Sequence, residues 1–240
     1  MVDPVLLKFW IFEIRYYGIV YVFGFLLIYF LLNKYRNRIE MSKDDAESYI
    51  FYLILGTIIG ARLAHVFIWD FSYYSKHLLD IFKLWEGGMA FYGGFIGSIL
   101  TSYIFCKRKN ISFLKLGDLV VIPAALALSL GRVANFINQE LWGIITNFRH
   151  CVNFNGECRH PYQLYSAAKR FFIFIALVIL SLKKRKDGLI FYSFIFLMSL
   201  GRFFIDFLKD EMKYFNLTIA QYFSMVVFII SLYVLIRDYR

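Results

Sequence analysis

From Gly131 to Gly143 the chain reads Gly-Arg-Val-Ala-Asn-Phe-Ile-Asn-Gln-Glu-Leu-Trp-Gly. Arg132, Asn135, Asn138, Gln139 and Glu140 follow directly on an apolar run, Asp118 to Leu130. A charge at membrane depth costs about 3 kcal/mol even on lenient insertion scales, so such residues are rare and usually mark a site. Arg132 offers a planar, permanently charged fork that fits a phosphodiester. Its competing role is structural, paired with Glu140, Asp118 or a backbone carbonyl. Arg202 repeats the pattern in Gly201-Arg202-Phe203-Phe204-Ile205-Asp206, where Asp206 lies one helical turn further on and within reach of an ion pair. Two arginines at similar depth on different helices make a clamp for one anionic group.

Three more segments carry polar or special residues. Glu86 to Gly97 contains the pairs Gly87-Gly88 and Gly93-Gly94 around Tyr92. Such glycines either let helices pack closely or let the backbone approach a ligand, with Tyr92 facing it. Arg159-His160-Pro161-Tyr162-Gln163-Leu164-Tyr165 opens an apolar run, and on spacing alone it is a weak signal, because Pro near a helix start is ordinary. Cys151 and Cys158, flanked by His150 and His160, read first as a disulfide of an oxidising compartment. Zinc ligation is the alternative, although the spacing fits no common zinc pattern. Cys106 reads as an inert residue.

The elements that must position these groups are membrane spans. The chain has 240 residues, 60% hydrophobic, and only 18% are charged, below the ~25% usual in soluble domains. Its apolar runs predict an all-α, polytopic helical bundle in a single domain, residues 1–240. Seven spans are expected: Tyr17–Leu32, Tyr49–Ile68, Met89–Cys106, Asp118–Phe136, Gln163–Leu182, Leu189–Phe207 and Leu217–Ile236. Val5–Ile14 is expected to lie on the surface as an amphipathic segment. It has no basic start or small-residue cleavage site, so the first span is expected to remain in the mature protein. The segment from Tyr73 to Gly88 is long enough for a short surface helix.

Seven spans divide the loops into two sets. One carries fourteen Lys and Arg residues, concentrated at 34–43, 107–115, 183–186 and 237–240, and the other carries eight. The excess belongs on the cytoplasmic side, which places the N-terminus outside and the C-terminus inside. The net charge of +10 is mostly this retention charge, and no nucleic-acid motif is visible, so no nucleic-acid partner is expected. Arg62, Arg132, Lys169, Arg170 and Arg202 are the cations left within the spans.

These residues together resemble one family, the prolipoprotein diacylglyceryl transferases of the bacterial inner membrane. Gly131–Gly143 is similar to that family's signature, Gly-Arg-x-(Gly/Ala)-Asn-Phe-x-Asn-x-Glu-x-x-Gly, at every fixed position. The order of Arg15-Tyr16-Tyr17-Gly18, Gly60-Ala61-Arg62, the glycine segment 87–97, Arg159 to Tyr165, Gly201-Arg202 and Leu217-Thr218-x-x-Gln221 also agrees, so the likeness covers nearly the whole chain. The resemblance implies transfer of a diacylglyceryl group from phosphatidylglycerol to the lipobox cysteine of a prolipoprotein, with glycerol 1-phosphate leaving. It implies no metal and no cofactor, membrane lipids as surroundings, and a site toward the outer leaflet.

Carried over position by position, the resemblance makes Arg132, Arg202, Glu140 and Tyr92 catalytic. It assigns substrate binding to Tyr17, Arg62, Gly93, Gly94, Asn135, Asn138, Gly143, His160, Gln163, Tyr165 and Asp206. The chain departs from the family where Tyr92 replaces a frequent His, Asp206 and Ser166 each replace a frequent Glu, and Ala220 replaces a frequent Gly. A phenol is a poor general base at neutral pH, which leaves Glu140, Tyr92 as a hydrogen-bond donor, or thiolate stabilisation by the arginines as the expected options. A divergent or non-catalytic phospholipid-binding paralogue is the alternative. A transporter fits less well, because no half of the sequence mirrors another.

Overall fold

The computed structural model describes residues 5–9 and 12–239. Residues 1–4, 10, 11 and 240 therefore lie outside the description. Among the described residues, the regular structure is helical apart from two short antiparallel strand pairs. Its helices are α1 (Tyr16–Tyr35), α2 (Lys43–Ala64), α3 (Phe71–Tyr74), α4 (Phe91–Lys109), α5 (Phe113–Ile137), α6 (Tyr162–Ser181), α7 (Leu189–Ile205) and α8 (Ile219–Tyr239). Six helical stretches, 16–39, 43–69, 113–137, 162–181, 189–208 and 219–239, are long and apolar enough to cross a membrane. The expected third span, Met89–Cys106, forms α4 but is not among the six. Six of its residues, Gly93, Gly94, Gly97, Ser98, Thr101 and Ser102, are glycine, serine or threonine, and its last turn is Lys107-Arg108-Lys109, which leaves it less apolar than the others.

Contacts divide the chain into two compact units, residues 1–27 with 117–240, and residues 28–116. In the first unit α5, α6 and α7 enclose a core of Val121, Ile122, Ala125, Ile173, Leu177, Ile190 and Phe194. Asp118 of α5 accepts the Gly188 and Phe191 amides at 2.7 Å each and so caps the start of α7. That is where a carboxylate meets the positive end of the helix dipole. Asp118 is therefore not the counter-ion of Arg132. Helix α8 starts on a reciprocal capping box: the Thr218 amide donates to Gln221 Oε1 at 2.8 Å and the Gln221 amide to Thr218 Oγ1 at 3.1 Å. Gln221 Nε2 then reaches the Phe203 carbonyl of α7 at 2.9 Å.

The second unit rests on α2 against α4. Added Cβ atoms show how close the helices come: at Gly93 one would stand 2.2 Å from the Gly60 carbonyl oxygen, and at Gly97 2.1 Å from that of Gly56. Tyr49 is fully buried there and bonds Ser102 Oγ at 2.9 Å. The Tyr73–Gly88 segment is not one surface helix. It forms the end of α3 and two 3-10 turns, Leu78–Phe82 and Leu84–Glu86. Positive φ at Gly87 (88°) and Gly88 (76°) leads the chain into α4.

The described residues of the N-terminal segment form two paired strands; residues 10 and 11 of the expected segment Val5–Ile14 lie outside the described residues. Strands β1 (Val5–Phe9) and β2 (Phe12–Arg15) pair antiparallel. A second pair of strands, β3 (Val152–Phe154) with β4 (Glu157–Arg159), turns through Asn155 and Gly156 at positive φ. The Cys151–Cys158 disulfide joins the residue before β3 to β4, with Cα atoms 5.5 Å apart.

Candidate active site

The signature begins inside α5 and ends in a turn whose hydrogen bonds explain its residues. The Gln139 amide bonds the Phe136 carbonyl at 3.1 Å and the Glu140 amide bonds that of Asn135 at 2.9 Å. With Gln139 at φ 56°, this is a Schellman ending. Leu141 also takes positive φ, 57°. Two non-glycine residues in that region flank Glu140, and such strain is held only where surrounding contacts enforce it. The Trp142 indole N–H donates to the Gln139 carbonyl, and its ring stacks on Phe154 at 6.2 Å.

This turn gathers a connected polar network. Arg132 Nη1 donates to Asn135 Oδ1 at 3.3 Å, and Asn135 Nδ2 donates to Glu140 Oε2 at 3.1 Å. Tyr17 at the head of α1 reaches the same carboxylate oxygen at 3.4 Å, and Asn138 Nδ2 reaches Oε1 at 3.4 Å. Gln163 of α6, fully buried, donates to the Glu140 backbone carbonyl at 2.6 Å. The Glu140 carboxylate thus accepts from three side chains, those of Tyr17, Asn135 and Asn138. A depression of ≈ 520 Å³ beside it is lined by Gln139, Glu140, Leu141, Trp142 and Asp210.

A second arrangement in the same unit forms around Asp206, which has no exposed surface. Tyr162 of α6 donates its hydroxyl to Oδ1 at 2.6 Å, and Arg202 of α7 donates Nε to Oδ2 at 3.2 Å. The carboxylate fixes one edge of the Arg202 guanidinium. The i,i+4 pair expected from spacing is present, and Tyr162 is the partner that spacing did not reveal. Ser129 of α5 donates to the Ala167 carbonyl of α6 at 2.8 Å, which puts Arg132, one turn after Ser129, level with this stretch of α6.

The outer boundary of the site is a clasp of three chain segments. Ile144 bonds Leu208 and His160 through the backbone, Gly143 bonds His160, and Asp210 bonds Trp142. Gly143 is required by closeness: a Cβ there would lie 2.5 Å from the His160 carbonyl oxygen and 2.9 Å from that of Leu208. Arg159 ties the clasp together, bonding Asp210 Oδ2, Glu157 Oε2 and the Gly143 carbonyl beneath the Trp142 ring. The two carboxylates, Asp210 foremost, raise the pKa of its guanidinium above the ordinary arginine value. His160 Nδ1 faces the Tyr165 hydroxyl at 3.5 Å.

Comparison with known proteins decides what this arrangement belongs to. The family model of prolipoprotein diacylglyceryl transferase matches residues 4–237. The chain belongs to that family. A phosphatidylglycerol–prolipoprotein diacylglyceryl transferase of Geobacter sulfurreducens is 36% identical over 87% of this chain and 83% of its own length. One of Ehrlichia ruminantium is 34% identical over 98% and 96%. A third, of Rickettsia bellii, is 32% identical over 98% and 95%.

Within this family member the first unit holds Tyr17, Arg132, Asn135, Asn138, Glu140, Gly143, His160, Gln163, Tyr165, Arg202 and Asp206. The other four expected residues belong to the second unit. There Arg62 is buried and donates to five backbone carbonyls, those of Asp80, Ile81, Lys83, Gly87 and Gly88. Its guanidinium is engaged in shaping that loop. Asp80 in the same loop accepts from Lys83 and Tyr73, which hold its carboxyl below the usual range. Gly93 and Gly94 face α2, so helix packing accounts for them. Tyr92 is half-exposed on the first turn of α4.

The sequence reading gives Lys169 and Arg170 only as cations within a span, with no role, and Tyr162 only as part of the segment 159–165. The signal was there, since two of them are cations inside an apolar run, and 162, 166 and 170 repeat at helical spacing on the buried face of α6.

Proposed function

We propose that this protein transfers the diacylglyceryl group of phosphatidylglycerol to the lipobox cysteine of prolipoproteins. The carrying observation is that the family signature folds Arg132, Asn135 and Glu140 into one hydrogen-bonded network within the unit that also holds Arg202 on Asp206. In the reaction the thiolate sulfur forms a bond to the glyceryl carbon. The carbon–oxygen bond to phosphate breaks, its electron pair stays on the phosphate oxygen, and glycerol 1-phosphate leaves. The phosphate gains charge as this bond breaks, and fixed guanidinium groups stabilise that change without reorganising. Arg132 and Arg202 fill that role, and Glu140 or a neighbouring cation serves formation of the thiolate, whose unperturbed pKa is about 8.5.

The reading extends to the surroundings. The whole chain acts as one integral domain of the bacterial cytoplasmic membrane. Helix α4 is the seventh crossing, the N-terminus lies outside and the site opens toward the outer leaflet, as the distribution of Lys and Arg supports.

The test is purified protein with labelled phosphatidylglycerol and a lipobox peptide. Labelled thioether peptide is expected. None, beside an active relative, overturns the transferase reading in favour of a phospholipid-binding paralogue, for which Tyr92 in place of a frequent His speaks. Arg132→Ala and Arg202→Ala are each expected to lower turnover by about 10²–10³ while the protein stays folded. Retained turnover removes that arginine from the reacting centre.

A further inference from the structure

The network and the Asp206 pair account for Arg132 and Arg202 but leave two cations of α6 without a role. Arg170 is buried at 8% exposure. It gives Nη1 to the Ser166 hydroxyl and to the Ser166 carbonyl, and its Nε has no hydrogen-bond partner. Lys169, next to it, lays its stem across Gly201, where an added Cβ would stand 2.5 Å from Lys169 Cδ. That puts it beside Arg202. Lys169 and Arg170 each lie within electrostatic range of Arg132, Arg202 and Asp206. Of these four cations, Arg170 is buried and Arg132, Lys169 and Arg202 are partly exposed; Asp206 is the fully buried carboxylate bonded to Arg202, and Glu140 joins through Asn135. A buried guanidinium N–H without an acceptor is unfavourable unless a ligand supplies one. Among the described residues, the buried side-chain atoms without a partner are Asn138 Oδ1, Gln163 Oε1 and Arg170 Nε, two acceptors and one donor. All three belong to the first unit, on α6 and the signature turn.

We propose that Lys169 and Arg170 join Arg132 and Arg202 in a four-cation cradle for a phosphate monoester dianion, so that the site holds the departing phosphate more tightly than the diester it came from. The inference rests on the proposed transferase reading. There the substrate phosphate carries one negative charge, and the product carries close to two at neutral pH. The cradle thus favours the charge distribution reached as the carbon–oxygen bond breaks, and the orphaned acceptors suit glycerol hydroxyls.

The test is calorimetric titration of the full-length protein in nanodiscs without phosphatidylglycerol. The probes are glycerol 1-phosphate, inorganic phosphate and the monoanionic diester glycerophosphoglycerol. Phosphatidylglycerol nanodiscs form a further arm, which separates lipid headgroup from free phosphate. Wild type is expected to prefer the monoester over the diester by about tenfold or more. Lys169→Gln and Arg170→Gln should each lower monoester affinity about tenfold and erase the preference, with partial recovery in Lys169→Arg and Arg170→Lys. Equal affinity for monoester and diester in wild type overturns the proposal. So does an unchanged preference in folded Lys169→Gln, whose partly exposed side chain makes it the safer variant should Arg170→Gln fail to fold. The peptide transfer assay on the same wild-type preparation reads separately: absence of transfer sinks the transferase reading, whereas the binding preference reports on the cradle.

Discussion

At the scale of single residues, Asp206 carries the most. It is fully buried, and both its oxygens are taken by Tyr162 and Arg202. Asp206→Asn leaves the guanidinium without its carboxylate, and losing one member of a buried pair costs about 3–5 kcal/mol. A lower thermal midpoint of the purified protein is expected, together with slowed transfer. Asp206→Glu, which restores the family's frequent residue, adds a methylene to a site with no room, at about 1–3 kcal/mol, so it should also lower the midpoint. An unchanged midpoint in both variants would mean that the pair contributes nothing. The Arg202–Asp206 pairing was legible because helical residues four apart face each other. Tyr162 was not, because its partner lies 44 residues away and only the packing of α6 on α7 joins them.

At the scale of elements, glycine contacts and loop staples govern. Gly93→Ala pushes a Cβ into the Gly60 carbonyl and the Ala64 methyl group, so α2 and α4 must separate. Weaker expression and a lower midpoint are expected, without a specific rise in KM for either substrate. The disulfide between Cys151 and Cys158 closes a short loop, worth about 2 kcal/mol in the chain-entropy account. A Cys151→Ser, Cys158→Ser double variant should expose the amides of β3 and β4 to faster hydrogen exchange while α5 to α7 stay protected. Exchange unchanged in the hairpin would count against the staple.

The loop of residues 78–88 has its own pH response. The Asp80 carboxyl is held below its unfolded value near 4, so its contribution is present at neutral pH and is lost as pH falls through the depressed value. Exchange protection around Asp80 should therefore survive at pH 5 and drop only at more acid pH, and Asp80→Asn should remove that acid-dependent step. Turns such as Gln139 and Leu141 at positive φ were not legible, since neither residue type announces that conformation. The Thr218-x-x-Gln221 box carries the pattern of a capping motif, in addition to its place in the family resemblance.

At the scale of the molecule, hydrophobic runs revealed the helical class and most spans. The sequence predicts α4 as a span, yet it is not among the six stretches long and apolar enough to cross, because the glycines that seat it on α2 also make it less apolar. Whether it crosses decides whether the two termini face opposite sides. Reporter fusions after Asn110 and after Arg149 are expected to lie on opposite faces of the membrane, the first cytoplasmic. Fusions at residue 2 and at residue 240 are also expected to differ, and a shared side for the termini would mean that α4 does not cross. The division into two units was not legible, since no linker or change in composition marks residues 28 or 116.

The missing side chain at Gly201 has an evolutionary consequence. A Cβ at position 201 would stand 2.5 Å from Lys169 Cδ, so the two positions are coupled. A lineage that acquires alanine or serine at 201 displaces the flexible lysine stem and with it the ammonium it carries. Change at position 201 is therefore felt as a shift of the neighbouring cation, even though residue 201 bears no charge of its own.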